Sequence, residues 1–209
     1  MESFFQEVSK YILQIDLLEF SGLVFGLLAV YFLIRENILT WPSGIAYVLV
    51  SFVIFWQQKL YADFALHIFF LVLNVYGWWY WVRGGKKTDQ MDVPVSTTSP
   101  TVLILLLVLS VIGIAVTGYF LQNFTDAAVP YWDSATTVLS LTGMWLTARK
   151  KIENWYFWFV VDILATGIYF YKGIYFYATL YLIYIVLAII GYLAWKKTMQ
   201  EQVISERLP

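Results

Sequence analysis

Long apolar segments separated by short polar breaks run through the whole chain. Seven can be distinguished, near residues 17–34, 42–57, 62–82, 101–121, 132–148, 155–171 and 174–195. Apolar segments of about 20 residues with few charges are typical of membrane-spanning helices. The pattern therefore predicts an all-α integral membrane protein with seven transmembrane helices.

Two helix starts carry local signals. Thr40 precedes Trp41-Pro42, so we expect its hydroxyl to cap a helix with proline in its first turn. Asn154 precedes Trp155 in the same way. Residues 84–100 are polar and rich in Ser, Thr and Pro, which predicts one long loop.

An offset of 114 residues relates several unusual residues at matching segment ends. The pairs are Arg35–Arg149, Ile38–Ile152, Trp41–Trp155, Tyr61–Tyr175, Leu66–Leu180, Gly77–Gly191 and Trp81–Trp195, with Glu19–Asp133 as a conservative pair. Chance alignment of apolar segments would match Leu and Val, but would seldom match Trp, Arg and Gly. We therefore infer an internal repeat of three helices.

Four segments separate equivalent positions, so both repeats should cross the membrane in the same direction. The predicted organisation is a tail 1–16, repeat 17–83, loop 84–100, linker helix 101–121, repeat 132–197 and tail 198–209. Two parallel three-helix repeats joined by a linker helix form a SWEET-like 3+1+3 arrangement. In such proteins the substrate binds near the membrane midplane between the repeats.

Composition agrees with this class and excludes others. Hydrophobic residues make up 61% of the chain, aromatic residues 20% and charged residues 13%. With no Cys and one His, zinc or cysteine-nucleophile chemistry is excluded, and we expect no enzyme activity, metal or cofactor. The net charge of −1 gives no basic surface for nucleic acid. The start lacks the pattern of a cleaved signal peptide, so the first span should stay in place.

Basic residues predict the orientation. The 13 Lys and Arg residues divide by side into ten (Arg35, Arg83, Lys86, Lys87, Arg149, Lys150, Lys151, Lys196, Lys197, Arg207) and three (Lys10, Lys59, Lys172). The richer side should be cytoplasmic, which places the N-terminus outside and the C-terminus inside.

Asp162 is the most informative polar residue because it lies in the middle of a predicted span. A carboxylate at the bilayer centre costs about 2.5–3.5 kcal/mol, and such groups usually face a bundle interior or a cavity. Asp162 is either a structural acid, protonated or hydrogen-bonded, or a functional counter-charge or proton site. Trp158 lies one turn earlier and could stack on a flat cation beside the carboxylate.

Two further stripes complete the candidate substrate site. Asp63, His67 and Asn74 share one helix face, although a lone His on such a helix can equally be a packing residue. Tyr177, Tyr181 and Tyr184 occupy the matching face at offset 114, and a tyrosine stripe is more often packing. The other candidates are Tyr47 and Gln57.

Other classes fit less well. A retinal protein needs a lysine inside its last span, and none lies between Lys172 and Lys196. An enzyme would have only Asp162 and Asp63 as an acid pair, and a receptor would normally carry a larger signalling loop. A proton-coupled symporter using Asp162 remains an alternative to facilitated diffusion.

Several motifs resemble the PnuC family of vitamin transporters. They are Trp41-Pro42-Ser43-Gly44, Gln57, Leu60-Tyr61-Ala62, Asn74-Val75-Tyr76-Gly77-Trp78, Tyr131-Trp132-Asp133-Ser134, Val138-Leu139-Ser140, Thr147-Ala148-Arg149-Lys150, Glu153-Asn154-Trp155 and Trp158. The resemblance covers both repeats. It implies a SWEET-like fold in the bacterial inner membrane and facilitated diffusion of a vitamin, coupled to a cytoplasmic vitamin kinase. We also expect a homo-oligomer.

The resemblance leaves the vitamin open. Nicotinamide riboside transporters have amides at the positions of Tyr47, His67 and Asp162, whereas Gln57 and Asn74 are kept. Amides suit ribose hydroxyls, so their loss favours a more aromatic cation with fewer hydroxyls. The sequence thus favours thiamine slightly, with nicotinamide riboside as the alternative. Uncharged riboflavin suits Asp162 less well.

Overall fold

Helices dominate the structure. The computed structural model describes residues 4–57, 61–84 and 93–205. The helices within them are α1 (Phe4–Gln14), α2 (Leu17–Ile34), α3 (Thr40–Gln57), α4 (Tyr61–Arg83), α5 (Pro100–Phe124), α6 (Pro130–Ala148), α7 (Asn154–Tyr171) and α8 (Tyr175–Ser205). The fold is all-α, as the hydrophobic pattern predicts.

The seven predicted spans correspond to α2–α8, and the differences lie at the chain ends. Helix α1 occupies part of the segment 1–16, for which only a tail was predicted. Helix α8 continues to Ser205, past the predicted start of the C-terminal tail. Lys197 Nζ lies 3.8 Å from Glu201 Oε1 one turn later. This ion pair stabilises the polar part of α8, which follows its apolar segment.

Helix length and composition support the membrane assignment for four of the described helices. By length and composition, α2, α3, α5 and α8 are long and apolar enough to cross a membrane. Helix α5 exposes a row of apolar side chains, among them Ile104, Leu105, Val108, Val111, Ile112 and Val116. These surfaces suit lipid. The 3+1+3 grouping and the orientation of the termini stay predictions.

Both predicted side-chain caps are wrong. The Thr40 hydroxyl donates to the Ala29 carbonyl in α2 at 2.8 Å, so it ties α3 to α2 instead of closing the start of α3. Asn154 is already the first residue of α7, and Glu153 precedes it as the cap without a side-chain bond. The sequence pattern located these helix starts correctly but not the partners of their polar side chains.

The chain divides into two compact units. The first consists of Met1–Gln14, Thr97–Gly143 and Glu153–Ile189, and the second of Ile15–Ser96, Met144–Ile152 and Ile190–Pro209. The first unit thus contains α1, α5, α7, most of α6 and the first part of α8. The second contains α2, α3, α4, the end of α6 and the second half of α8.

Tryptophans form the core of the second unit, where α2 packs on α3 and α3 on α4. Trp41 is 1% exposed, and its ring covers Gly77 of α4 so closely that a Cβ there would overlap it. Trp81 meets Trp41 edge to face at a ring distance of 5.3 Å. Gly77 is therefore required by this packing.

Part of the predicted loop 84–100 is an ordered strap. Ser96 N donates to Lys150 O at 3.2 Å, and Ile152 N donates to Ser96 O at 3.0 Å. Lys151 Nζ also reaches Ser96 Oγ at 2.9 Å. The strap therefore runs along the turn that follows α6. Residues 85–92 of the loop lie outside the described residues.

Candidate functional site

Asp162 lies on the buried face of α7. It is 6% exposed, and Val161 and Ala165 are buried beside it. Among residues 4–57, 61–84 and 93–205, no Lys or Arg makes an ion pair with its carboxylate. A buried carboxylate normally needs a cation or several hydrogen bonds to remain charged. The position is chemically suited to a cation supplied by a ligand.

Trp158 occupies the turn of α7 before Asp162, as predicted from the four-residue spacing. Its indole is partly exposed and packs near Gly143 of α6, where an added Cβ would lie 3.5 Å from the ring. Thr166, one turn after Asp162, donates its hydroxyl to the Asp162 carbonyl at 2.7 Å. Trp158 and Asp162 therefore lie one helical turn apart within one unit.

The tyrosines of α8 form a stacked ladder with one tyrosine of α7. The Tyr169 ring lies 5.4 Å from Tyr177 and 5.3 Å from Tyr181, at interplanar angles of 26° and 19°. Tyr184 meets Tyr181 edge to face at 5.7 Å. Tyr169 is two turns from Asp162 on α7, so the ladder lies in the same unit as the carboxylate. Stacking of this kind presents flat aromatic surfaces.

Helix α1 adds a further tyrosine to this ladder. Tyr11 stacks on Phe176 at 4.3 Å, and its hydroxyl lies 3.4 Å from that of Tyr177. The sequence pattern predicts only a tail over residues 1–16 and therefore misses this contact. The signal was present, since Phe4, Val8 and Tyr11 fall on one face of a helix.

His67 lies inside an aromatic cage in the second unit. Its ring is 4.7 Å from Phe55, 5.3 Å from Phe70 and 6.0 Å from Tyr47. The side chain is 7% exposed. The structure thus brings together Tyr47 and His67, two of the predicted substrate residues. Phe55 is a neighbour that only the packing of α3 on α4 reveals.

Asn74 is buried one helix turn after Phe70, to whose carbonyl its Nδ2 donates at 2.9 Å. Its Oδ1 packs directly on Gly44 in the first turn of α3. Any side chain at Gly44 would displace the amide, which explains the glycine of the Trp-Pro-Ser-Gly motif. An amide held in this way has a fixed orientation.

The remaining predicted residues are placed less decisively. Gln57 is exposed at the last residue of α3. Asp63 belongs to α4, but its side chain lies outside the described part of the chain. Two groups therefore emerge: Asp162, Trp158 and the tyrosines in the first unit, and Tyr47, His67 and Asn74 in the second. Within the described ranges, no three His, Asp or Glu side chains could hold a metal ion.

Comparisons with known proteins point to transport. The sequence profile of the family described as nicotinamide mononucleotide transporter matches residues 16–197. The nicotinamide riboside transporter PnuC of Escherichia coli K12 is 28% identical over 88% of this chain and 87% of its own length. The riboflavin/roseoflavin transporter RibM of Streptomyces davaonensis is 24% identical, over 83% and 82% respectively.

A comparison with solved structures shows which fold the chain shares with a known protein. The crystal structure of the vitamin B3 transporter PnuC matches with a TM-score of 0.72 at 21% identity. The match covers 95% of this chain and 88% of that one. At this identity the comparison shows a shared fold. It carries no information on which ligand the present chain binds.

Proposed function

Because the chain belongs to the family described as nicotinamide mononucleotide transporter, we propose that it imports nicotinamide riboside. The relatives carry the choice of this vitamin, whereas a cationic substrate is supported by the buried carboxylate of Asp162. This carboxylate has no basic partner among the described residues, and the pyridinium of nicotinamide riboside supplies the missing positive charge. The similar protein from Escherichia coli is named as a nicotinamide riboside transporter, which supports nicotinamide riboside as the substrate.

The aromatic groups of the first unit suit a flat cation. A cation held over an indole face gains about 0.5–2 kcal/mol, more when water is excluded. Trp158 would stack on the pyridinium while Asp162 neutralises it. Tyr177, Tyr181 and Tyr184 would provide further ring surface, held in register by Tyr169.

The polar groups of the second unit are suited to bond hydroxyl groups. Asn74 has a fixed amide, and His67 is a polar ring within an aromatic cage. They and Tyr47 stay predictions from the sequence as substrate residues. Gln57 and Asp63 belong to the same prediction, although the structure gives no contact that singles them out. A site built to bond hydroxyls rejects analogues that lack them.

The transport mode and orientation are also part of the proposal. Facilitated diffusion with alternating access, made one-way by a cytoplasmic kinase, is its simplest form, and proton coupling through Asp162 is the alternative. The distribution of basic residues supports an N-terminus outside and a C-terminus in the cytoplasm of a bacterial inner membrane.

Thiamine stays a prediction from the sequence, and the relatives support nicotinamide riboside better. The rings of Tyr47 and His67, 6.0 Å apart, belong to the residues from which the sequence analysis favours thiamine. None of the comparisons reported above names a thiamine transporter. The two vitamins share a positive charge, so Asp162 accommodates either.

A side-by-side titration tests the choice of vitamin. The chain has ten tryptophans, so ligand binding to purified protein should quench intrinsic fluorescence. We expect saturable quenching by nicotinamide riboside, at least tenfold weaker binding of thiamine and none of riboflavin. Uncharged nicotinamide controls for stacking without charge. Tight binding of thiamine alone would show that the replaced amides changed the substrate.

A further inference from the structure

Two turns of the second unit have the same backbone geometry. Glu36 follows α2 with φ 53°, and Lys150 follows α6 with φ 51°. The two positions are separated by 114 residues, the offset of the internal repeat. The backbone hydrogen bonds of a Schellman motif close each turn and join Glu36 to Leu33, Asn37 to Phe32, Lys150 to Thr147 and Lys151 to Leu146 at 2.8–3.0 Å.

Charged residues occupy both positions where glycine is usual. A left-handed residue after a helix is normally Gly because a Cβ is strained there. Here Glu36 and Lys150 adopt this conformation, and their side chains meet, with Nζ 3.0 Å from Oε2. Both side chains are largely buried, with 16% and 7% of their surface exposed. The ion pair therefore joins two equivalent residues whose backbones are both in the strained left-handed conformation.

Two tryptophans form a second set of contacts between equivalent positions. Trp81 Nε1 donates to Thr147 O at 3.4 Å, and Trp195 Nε1 donates to Leu33 O at 2.9 Å. Both donors and both acceptors are related by the offset of 114, so exchanging the repeats converts one bond into the other. The two indole rings also touch, 6.3 Å apart. Lys150 Nζ lies 4.7 Å from the Trp81 ring.

A residue that contacts its own equivalent, in a contact that is unchanged when the two copies are exchanged, lies close to a two-fold axis. Glu36–Lys150 and Trp81–Trp195 are two such pairs, so a local pseudo-two-fold axis passes between them. Where parallel repeats build a transporter, this axis follows the membrane normal and the substrate site lies between the repeats. The ion pair follows the ends of α2 and α6. If it lies on this axis, it would block the path of a substrate at that end of the two helices.

We propose that Glu36 and Lys150 form a gate that is closed in this structure and opens once in each transport cycle. The inference rests on transport between the repeats, as in the proposed function, but not on which vitamin is carried. A buried ion pair stabilises a fold little better than apolar residues would. It can, however, separate into two hydrated ions when water enters, which a packed apolar pair cannot do without exposing apolar surface.

Cross-linking tests whether the gate must open. The natural chain has no cysteine, so Glu36→Cys/Lys150→Cys gives a clean pair of thiols. A short bifunctional thiosulfonate should reduce uptake of nicotinamide riboside into proteoliposomes at least tenfold, and a reductant should restore it. The natural chain and both single variants, treated identically, are controls. Undiminished uptake by the cross-linked protein would overturn the gate and make the pair a fixed joint.

Distance measurements test the gate without any vitamin. Spin labels at Asn37→Cys and Lys151→Cys should report a short and a long distance with the natural pair. Adding Lys150→Glu should leave only the long distance, because two carboxylates repel. The exchange Glu36→Lys/Lys150→Glu should restore the short one, because the positions are equivalent.

The two measurements separate the failure of the gate from failure of the proposed function. One unchanged distance in all three labelled proteins would contradict the gate, whichever vitamin is carried. Distances that shift as expected, in a protein that takes up no nicotinamide riboside, would leave the gate standing and overturn the proposed substrate.

Discussion

Asp162→Asn will weaken binding of nicotinamide riboside by about tenfold to a hundredfold while the protein remains folded. The change removes the negative charge and keeps the shape, so the loss measures the charge-assisted interaction, about 1.5–3 kcal/mol. Fluorescence titration gives the affinity, and the unfolding temperature in detergent tests the fold. The buried position of Asp162 makes both readouts necessary.

A matched variant separates local charge from net charge. Asp126→Asn makes the same chemical change at an exposed residue between α5 and α6, and should leave affinity unchanged. If Asp162→Asn lowered the unfolding temperature while affinity stayed intact, Asp162 would be a structural acid. Uncharged ligands should lose little affinity in either variant.

Gly77→Ala will destabilise the second unit severely. The added Cβ would overlap the ring of Trp41, which is fully enclosed and contacts Trp81. Overpacking a closed core costs about 1–3 kcal/mol, and a ring held on both sides has little room to move. The expected result is a lower unfolding temperature and a smaller yield of monodisperse protein in detergent.

Gly167→Ala serves as the control for the glycine prediction. This glycine also lies within a helix, but an added Cβ would be 3.7 Å from Trp132, an ordinary contact. Because Ala favours a helix over Gly by about 0.5–1 kcal/mol, the variant should be as stable as the natural chain or more so. Equal effects of the two substitutions would show that Trp41 does not press on Gly77.

The sequence predicts helices well where apolar segments are long and poorly where helices are short. Helices α2–α8 follow from length and hydrophobicity alone. Helix α1 combines a few apolar residues with charges, so its sequence indicates an amphipathic helix but not the contact of Tyr11 with Phe176 of α8. The polar end of α8 likewise falls within the predicted tail, because hydropathy marks the membrane boundary and not the helix end.

The candidate site divides in the same way. Spacing along one helix was enough to place Trp158 one turn from Asp162. Spacing along one helix does not predict contacts between helices. Examples are the stacking of Tyr169 on Tyr177 and Tyr181 and the contact of Phe55 with His67. Those contacts depend on which faces of neighbouring helices meet, and a single sequence does not specify this.

Uptake of labelled nicotinamide riboside into proteoliposomes tests the proposed function most directly. We predict uptake that saturates, stops when inside and outside concentrations are equal, and does not respond to an imposed pH gradient. Accumulation driven by a pH gradient would instead support proton coupling through Asp162. No uptake by a protein that remains folded and transports thiamine or riboflavin would contradict nicotinamide riboside as the substrate.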